Sequence, residues 1–160
     1  MASLCQGQEN APEYEVLIID NGSADGSVEY LDSEWCRKKE APAEEGGKPQ
    51  VRLIALPENT GFCHAVNLGI REARSSYVIL LNNDTRVEAG FVKGLYDAIR
   101  KDEKIFSVSA KMLMWDKPEL LDDAGDRYCV LGWAYSRGKG RPAVDYDKNV
   151  LSLIHISEPT

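Results

Sequence analysis

VRLIALPENTGFCHAVNLGI, residues 51–70, passes from an aliphatic run (Val51–Leu56) through a polar turn with Gly61 into a helix of small and apolar residues. Such a run suits a strand buried on both faces, and the spacing of Val66, Ile70 and Ala73 predicts a helix that lays one apolar face on a sheet. Glu15–Asp20 (EVLIID), Tyr77–Asn82 (YVILLN) and Ile105–Ala110 repeat the strand pattern, while Val28, Leu31 and Trp35, and then Phe91, Leu95 and Ile99, repeat the helical one. The order β-α-β-α-β-α-β predicts right-handed crossovers and an α/β fold built on a mostly parallel sheet. Ligands of such sheets bind at the carboxyl ends of strands, so the chemistry is expected there. Lys39–Pro49 (KEAPAEEGGKP) reads as a solvated loop, and from Asp116 to Asp147 the periodicity weakens into a binding loop or an unfinished lobe.

A length of 160 residues points to one domain or a large piece of one. Hydrophobic residues at 43% and charged residues at 28% are the proportions of a globular protein, which excludes disordered and fibrous classes. A net charge of -7 argues against a nucleic-acid partner. Apolar runs fall far short of the roughly 20 residues that span a bilayer, so no transmembrane segment is expected. The start MASLCQGQEN lacks the pattern of a secretory signal. Cys5, Cys36, Cys63 and Cys129 form no CxxC pair and only two histidines are present, which disfavours zinc and makes a reducing cytoplasm the expected location.

Three strand ends hold candidate site residues. Asp20-Asn21-Gly22-Ser23 reads as a turn, with Asn-Gly favouring positive φ, or as a ligand site in which the Asp20 carboxylate accepts from a base N–H. Gly61 opens a helix whose amino end suits a phosphate, although Ala65 and Gly69 are equally explained by close packing on the sheet. Asn67 is unusual inside a helix, and His64 reads as a polar loop residue. Asn82-Asn83-Asp84-Thr85 ends an apolar run abruptly, either as a turn and helix cap or as a divalent cation site shared with a diphosphate.

IIDNGSADGS (Ile18–Ser27), LPENTGFCHAVNLGI (Leu56–Ile70) and YVILLNNDT (Tyr77–Thr85), at these separations, resemble the donor-binding half of family 2 glycosyltransferases with the GT-A fold. Asp123–Arg127 and Gly132–Gly140 resemble the rhamnosyltransferase-like branch, and the likeness runs from about Glu13 to Val150. The resemblance implies a nucleotide-diphosphate-sugar donor, Mg²⁺ or Mn²⁺ as cofactor, and inverting transfer to the hydroxyl of a glycan or lipid-linked acceptor. It further implies a bacterial protein of cell-surface polysaccharide synthesis, cytoplasmic or peripheral to the inner membrane. By position it makes Asp20, Asn21, Gly22, Ser23, Gly61, Asn67 and Asn83 donor-binding and Asp84 the metal ligand, with Asn82 standing where a DxD-like motif begins. Arg137 and Lys139 read either as phosphate partners or as an exposed basic loop.

Two departures from the family pattern imply truncation at both ends. No VSVVIPVYN-like strand precedes Glu13, and the acidic general base is expected beyond the last matching residue. Residues 1–13 then read as a remnant of a preceding helix or linker, 14–150 as the donor-binding half, and 151–160 (LSLIHISEPT) as a non-native tail. In a GT-A sheet the absent strand lies between those ending at Asp20 and Asn82, so its loss leaves two inner edges without a neighbour. Two rivals stay open at this point: a nucleotide-sugar binding module without catalysis, and another metal-dependent parallel α/β enzyme such as a nucleotidyltransferase.

Overall fold

The computed structural model describes residues 1–36, 49–129 and 131–146. Residues 39–48 of the expected loop and the expected tail at 151–160 lie outside them. The chain divides into two compact units, Met1–Gly90 and Phe91–Thr160.

In the first unit, helix α1 (Ala2–Cys5) is followed by strand β1 (Glu15–Asp20) and helix α2 (Ser27–Leu31), which runs on as a π-helical turn, Asp32–Cys36. Strand β2 (Gln50–Ala55) and helix α3 (Phe62–Glu72) complete it. β1 and β2 pair in parallel from Glu15↔Gln50 to Asp20↔Ala55, and the Leu56 N–H donates to the Asp20 carbonyl at 2.9 Å. Parallel neighbours need a crossover between them, and α2 lies in it. α3 returns over the sheet with Ala65 buried, and it approaches β1 at Gly69, where a Cβ would lie 3.2 Å from Ile19 Cγ1. The packing explanation for the small residues of α3 therefore holds at both positions.

The amino-terminal residues are tied to the segment before Gly90. The Gly90 N–H donates to the Gly7 carbonyl at 3.0 Å, the Val87 N–H to Ser3 Oγ at 3.3 Å, and Gln8 Nε2 to the Glu88 carbonyl at 2.9 Å. Val87 is buried beneath them.

At the opposite end of the sheet from the loops that leave β1 and β2, Glu15 joins three elements. Its Oε2 accepts from Arg52 at 3.0 Å on β2, and its Oε1 accepts from the Arg74 N–H at 2.9 Å just past α3. Burial pushes the Glu15 carboxyl up, but the Arg74 N–H and the Arg52 guanidinium together outweigh it and hold the carboxyl below its ordinary value. A carboxylate with a depressed folded pKa stabilises the fold above the unfolded value, and that contribution is lost as pH falls through the folded value. Glu15→Gln is therefore expected to destabilise at neutral pH, and the gap to the wild type should close in acid. Urea unfolding across that range checks this; a gap independent of pH would contradict it.

The second unit holds helix α4 (Phe91–Ile99), an antiparallel pair of β3 (Met112–Leu113) with β4 (Leu121–Asp123), and a hairpin of β5 (Asp126–Tyr128) with β6 (Ala134–Ser136). A 3₁₀ turn, Ala143–Tyr146, follows. Leu121 is fully enclosed and Ala143 and Val92 are buried. Gly138, at φ +78°, allows the chain to pass Tyr146, whose Cζ would lie 2.8 Å from a Cβ there.

Among the described residues the expected four-stranded, mostly parallel sheet is corrected to one parallel pair and two short antiparallel pairs. Tyr77–Asn82 and Ile105–Ala110 form no strand, and Tyr77 to Leu81 are 38–62% exposed. Strand propensity expresses how a side chain fits a pleated, half-buried surface, and an apolar run becomes a strand only where another backbone accepts its ladder. Among the described residues no helix is long and apolar enough to cross a membrane.

Candidate functional site

The carboxyl ends of β1 and β2 open into two loops that are locked to one another. Asp20, the last residue of β1, is 8% exposed. Its Oδ2 accepts the Ser23 N–H three residues on at 2.9 Å, a local side-chain-to-backbone bond that holds the turn. Among the described residues no buried side-chain oxygen or nitrogen lacks a partner, and Oδ1 takes no hydrogen bond from the chain. Oδ1 is thus the Asp20 atom that reaches solvent, a carboxylate oxygen on an otherwise buried residue.

Asn21 bridges to the β2–α3 loop. Its Oδ1 accepts from the Thr60 N–H at 2.9 Å and from Thr60 Oγ1 at 3.0 Å, while its Nδ2 donates to Asn59 Oδ1 at 3.0 Å. Asn59 Oδ1 also accepts the Gly61 N–H at 2.9 Å. Both ends of the Asn21 amide are engaged within the chain, so it positions the loops. Gly22, at φ +81°, presses on the same loop so closely that a Cβ would lie 2.5 Å from the Glu58 carbonyl carbon. Beyond the turn, Ser27 donates its N–H and hydroxyl to Asp25 Oδ1 at 3.1 and 2.6 Å, and these bonds hold that carboxyl below its ordinary value.

Gly61, at φ +87°, precedes α3, whose first turn receives no side-chain cap. The N–H groups of Phe62, Cys63 and His64 therefore face outward from a positive dipole end, on exposed residues. Asn67 is exposed one turn further along α3. Asn83 and Asp84 form an exposed turn, closed by Thr85 Oγ1 donating to the Asn82 carbonyl at 2.7 Å. Among the described residues no group of three or more His, Cys, Asp or Glu side chains is placed to hold a metal. Asp84 alone fits a cation only where a diphosphate supplies further oxygens, a donor set that suits Mg²⁺.

The structure brings Asp20, Asn21, Gly22, Ser23 and Gly61 together, and it adds Asn59 and Thr60, which sequence reasoning missed. Their signal was an Asn two residues before a turn glycine, the spacing of an Asx turn. In the second unit the two basic residues have other partners: Lys139 pairs with Asp122 at 3.0 Å, and the Arg137 guanidinium lies 5.0 Å from the centre of the Tyr146 ring.

A family model described as glycosyl transferase family 2 matches residues 1–138. A poly-beta-1,6-N-acetyl-D-glucosamine synthase of Staphylococcus epidermidis is 26% identical over 110 residues, covering 69% of this chain and 24% of the synthase. Glycosyltransferase GlyG of Streptococcus pneumoniae is 24% identical over 144 residues, 88% of this chain and 44% of that protein. A poly-beta-1,6-N-acetyl-D-glucosamine synthase of Staphylococcus aureus is 27% identical over 107 residues, 67% of this chain and 23% of its own. The chain thus spans less than half the length of each of these relatives. No solved structure matches significantly. With the family model covering most of its length, the chain belongs to glycosyl transferase family 2.

Proposed function

We propose that residues 14–150 are the donor-binding portion of an inverting glycosyltransferase of GT-A type. The observation that carries this reading is Asp20, a buried carboxylate at the end of a parallel strand with one oxygen open to solvent. In this reading Oδ1 accepts the N3–H of a pyrimidine base, while Gly22 and the Asn21 clasp hold the two loops at the spacing the nucleoside needs. Gly61 and the uncapped first turn of α3 offer N–H groups to the diphosphate. Ser23, Asn67 and Asn83 supply polar contacts to the donor. Asp84 would hold Mg²⁺ or Mn²⁺, which would supply positive charge to the diphosphate.

Inverting transfer also needs a base to take the acceptor proton. We assign that role to a carboxylate in a parent sequence that follows this stretch, and the missing central strand to sequence that precedes it. The acceptor is a glycan or a lipid-linked glycan, and the names of the staphylococcal relatives support a polysaccharide product. Placement in the rhamnosyltransferase-like branch rests on Asp123–Arg127 and Gly132–Gly140. The protein then works in the cytoplasm or at the inner face of the membrane.

The test is calorimetry with a uridine or thymidine diphosphate sugar, in Mg²⁺ and in chelator. Binding is expected to be tighter in Mg²⁺, and Asp84→Asn should bind with the weaker affinity in both. Equal wild-type affinity in metal and chelator would remove Asp84 from the donor site.

A further inference from the structure

A carboxylate that serves a cation without a protein cluster around it must be held in place by its own backbone. Mg²⁺ demands near-octahedral geometry at roughly 2.0–2.1 Å, so its protein ligand is best fixed before the metal arrives. Among the described residues no group of three or more His, Cys, Asp or Glu shares that task with Asp84. The turn that carries Asp84 is closed on itself by Thr85 Oγ1, and the run before it, Tyr77–Asn82, forms no strand. Its anchor lies on the other side, in the residues that follow.

Residues 87–90 are gripped at successive points by residues 3–8, which form a hook ahead of β1. The Val87 N–H donates to Ser3 Oγ at 3.3 Å, Gln8 Nε2 donates to the Glu88 carbonyl at 2.9 Å, and the Gly90 N–H donates to the Gly7 carbonyl at 3.0 Å. Gly7 passes so close that a Cβ on it would lie 3.5 Å from Ala89 Cβ. Gln8 Nε2 also donates to the Ser3 carbonyl at 3.2 Å, which locks two of the gripping residues to each other. The hook is fastened in turn to β1, because the hydroxyl of Tyr14, the residue before that strand, donates to the Leu4 carbonyl. These bonds fall on backbone groups, so they fix the path of the chain as well as burying Val87. The route from β1 through Tyr14 and the hook to Val87 references Asp84 to the same strand whose last residue is Asp20.

We propose that Ser3, Gly7 and Gln8 are positioning residues for the Asp84 carboxylate: the hook they form sets where that carboxylate stands relative to Asp20, and so how far a divalent cation tightens the binding of a nucleoside diphosphate. The proposal rests on the reading of Asp84 as the metal ligand.

The experiment is calorimetry of the 160-residue chain with uridine diphosphate, in Mg²⁺ and in chelator, alongside {¹H}-¹⁵N heteronuclear NOE measurements on the ligand-free protein. In the wild type Mg²⁺ is expected to tighten uridine diphosphate by roughly tenfold, an ordinary coupling between two ligands. Ser3→Ala/Gln8→Ala is expected to cut that gain to about threefold or less, with the affinity in chelator unchanged. Without any ligand, the NOE should fall at Asn83 to Thr85 and stay level at Asn59 to His64, a local loosening that a general loss of stability does not produce. Gln8→Glu keeps the shape of the side chain but sets a carboxylate against two carbonyl oxygens, so it should reproduce both effects and decides the matter where the double variant fails to fold. Glu15→Gln, which weakens the same unit through bonds that do not reach residues 82–90, should keep the wild-type gain. A gain retained in the folded hook variants, or affinity lost equally in Mg²⁺ and chelator, would overturn the positioning role and leave Asp84 as the ligand. A wild type with no gain at all would overturn both.

Discussion

Asp20→Ala is expected to weaken binding of a pyrimidine nucleoside diphosphate by roughly 10- to 150-fold, the equivalent of about 1.5–3 kcal/mol for a desolvated hydrogen bond to a charged group. The size follows from the position of the carboxylate. Asp20 is 8% exposed, so a bound base that covers Oδ1 excludes the remaining water from the carboxylate and strengthens the bond. Loss of the side chain also frees the Ser23 N–H, which slackens the turn that frames the base. Uridine diphosphate titrated by calorimetry against wild type and variant, with thermal melts to verify folding, measures the effect. Unchanged affinity in a folded variant would leave Asp20 with only its turn-forming role.

Gly22→Ala is expected to be the most damaging single methyl in the first unit, at roughly 2–4 kcal/mol, from overpacking together with left-handed strain. The added Cβ would meet the Glu58 carbonyl carbon at 2.5 Å and the Asn59 nitrogen at 2.6 Å, and neither is the end of a flexible side chain. Relief requires the β1–α2 and β2–α3 loops to part, which breaks the Asn21 bonds to Asn59 and Thr60. Gly26 is the control. It has nearly the same φ, +83°, with nothing within 4 Å of a Cβ, so Gly26→Ala should cost only the conformational part, about 1–2 kcal/mol. Urea unfolding of the two variants separates contact from conformation. Equal losses would mean that Gly22 serves the turn alone and does not clasp the loops.

What could be read from the sequence was the part encoded locally. β1, β2 and α3 emerged from aliphatic runs and helical spacing because each pattern lies within a dozen residues. Gly22 announced positive φ through its Asn-Gly context and has it, whereas the positive φ of Gly61 emerged only from the fold. Tyr77–Asn82 and Ile105–Ala110 carried the same aliphatic signal and formed no strand, because a ladder depends on a second backbone that the run itself does not specify. The Asn21–Asn59 bond joins residues 38 apart, and no local pattern encodes a contact of that range. Lys139 likewise read as a phosphate partner or as part of an exposed basic loop until the fold supplied Asp122.

The central claim is that the loops after β1 and β2 hold a nucleoside diphosphate. Its most direct test is an amide NMR titration of the ¹⁵N-labelled chain with uridine and thymidine diphosphates in Mg²⁺. The account predicts saturable shifts concentrated at Ser23, at Asn59 to Gly61, and at Phe62 to His64 at the start of α3, all lost together in Asp20→Ala. Shifts confined to other residues, or none at millimolar nucleotide, would contradict it.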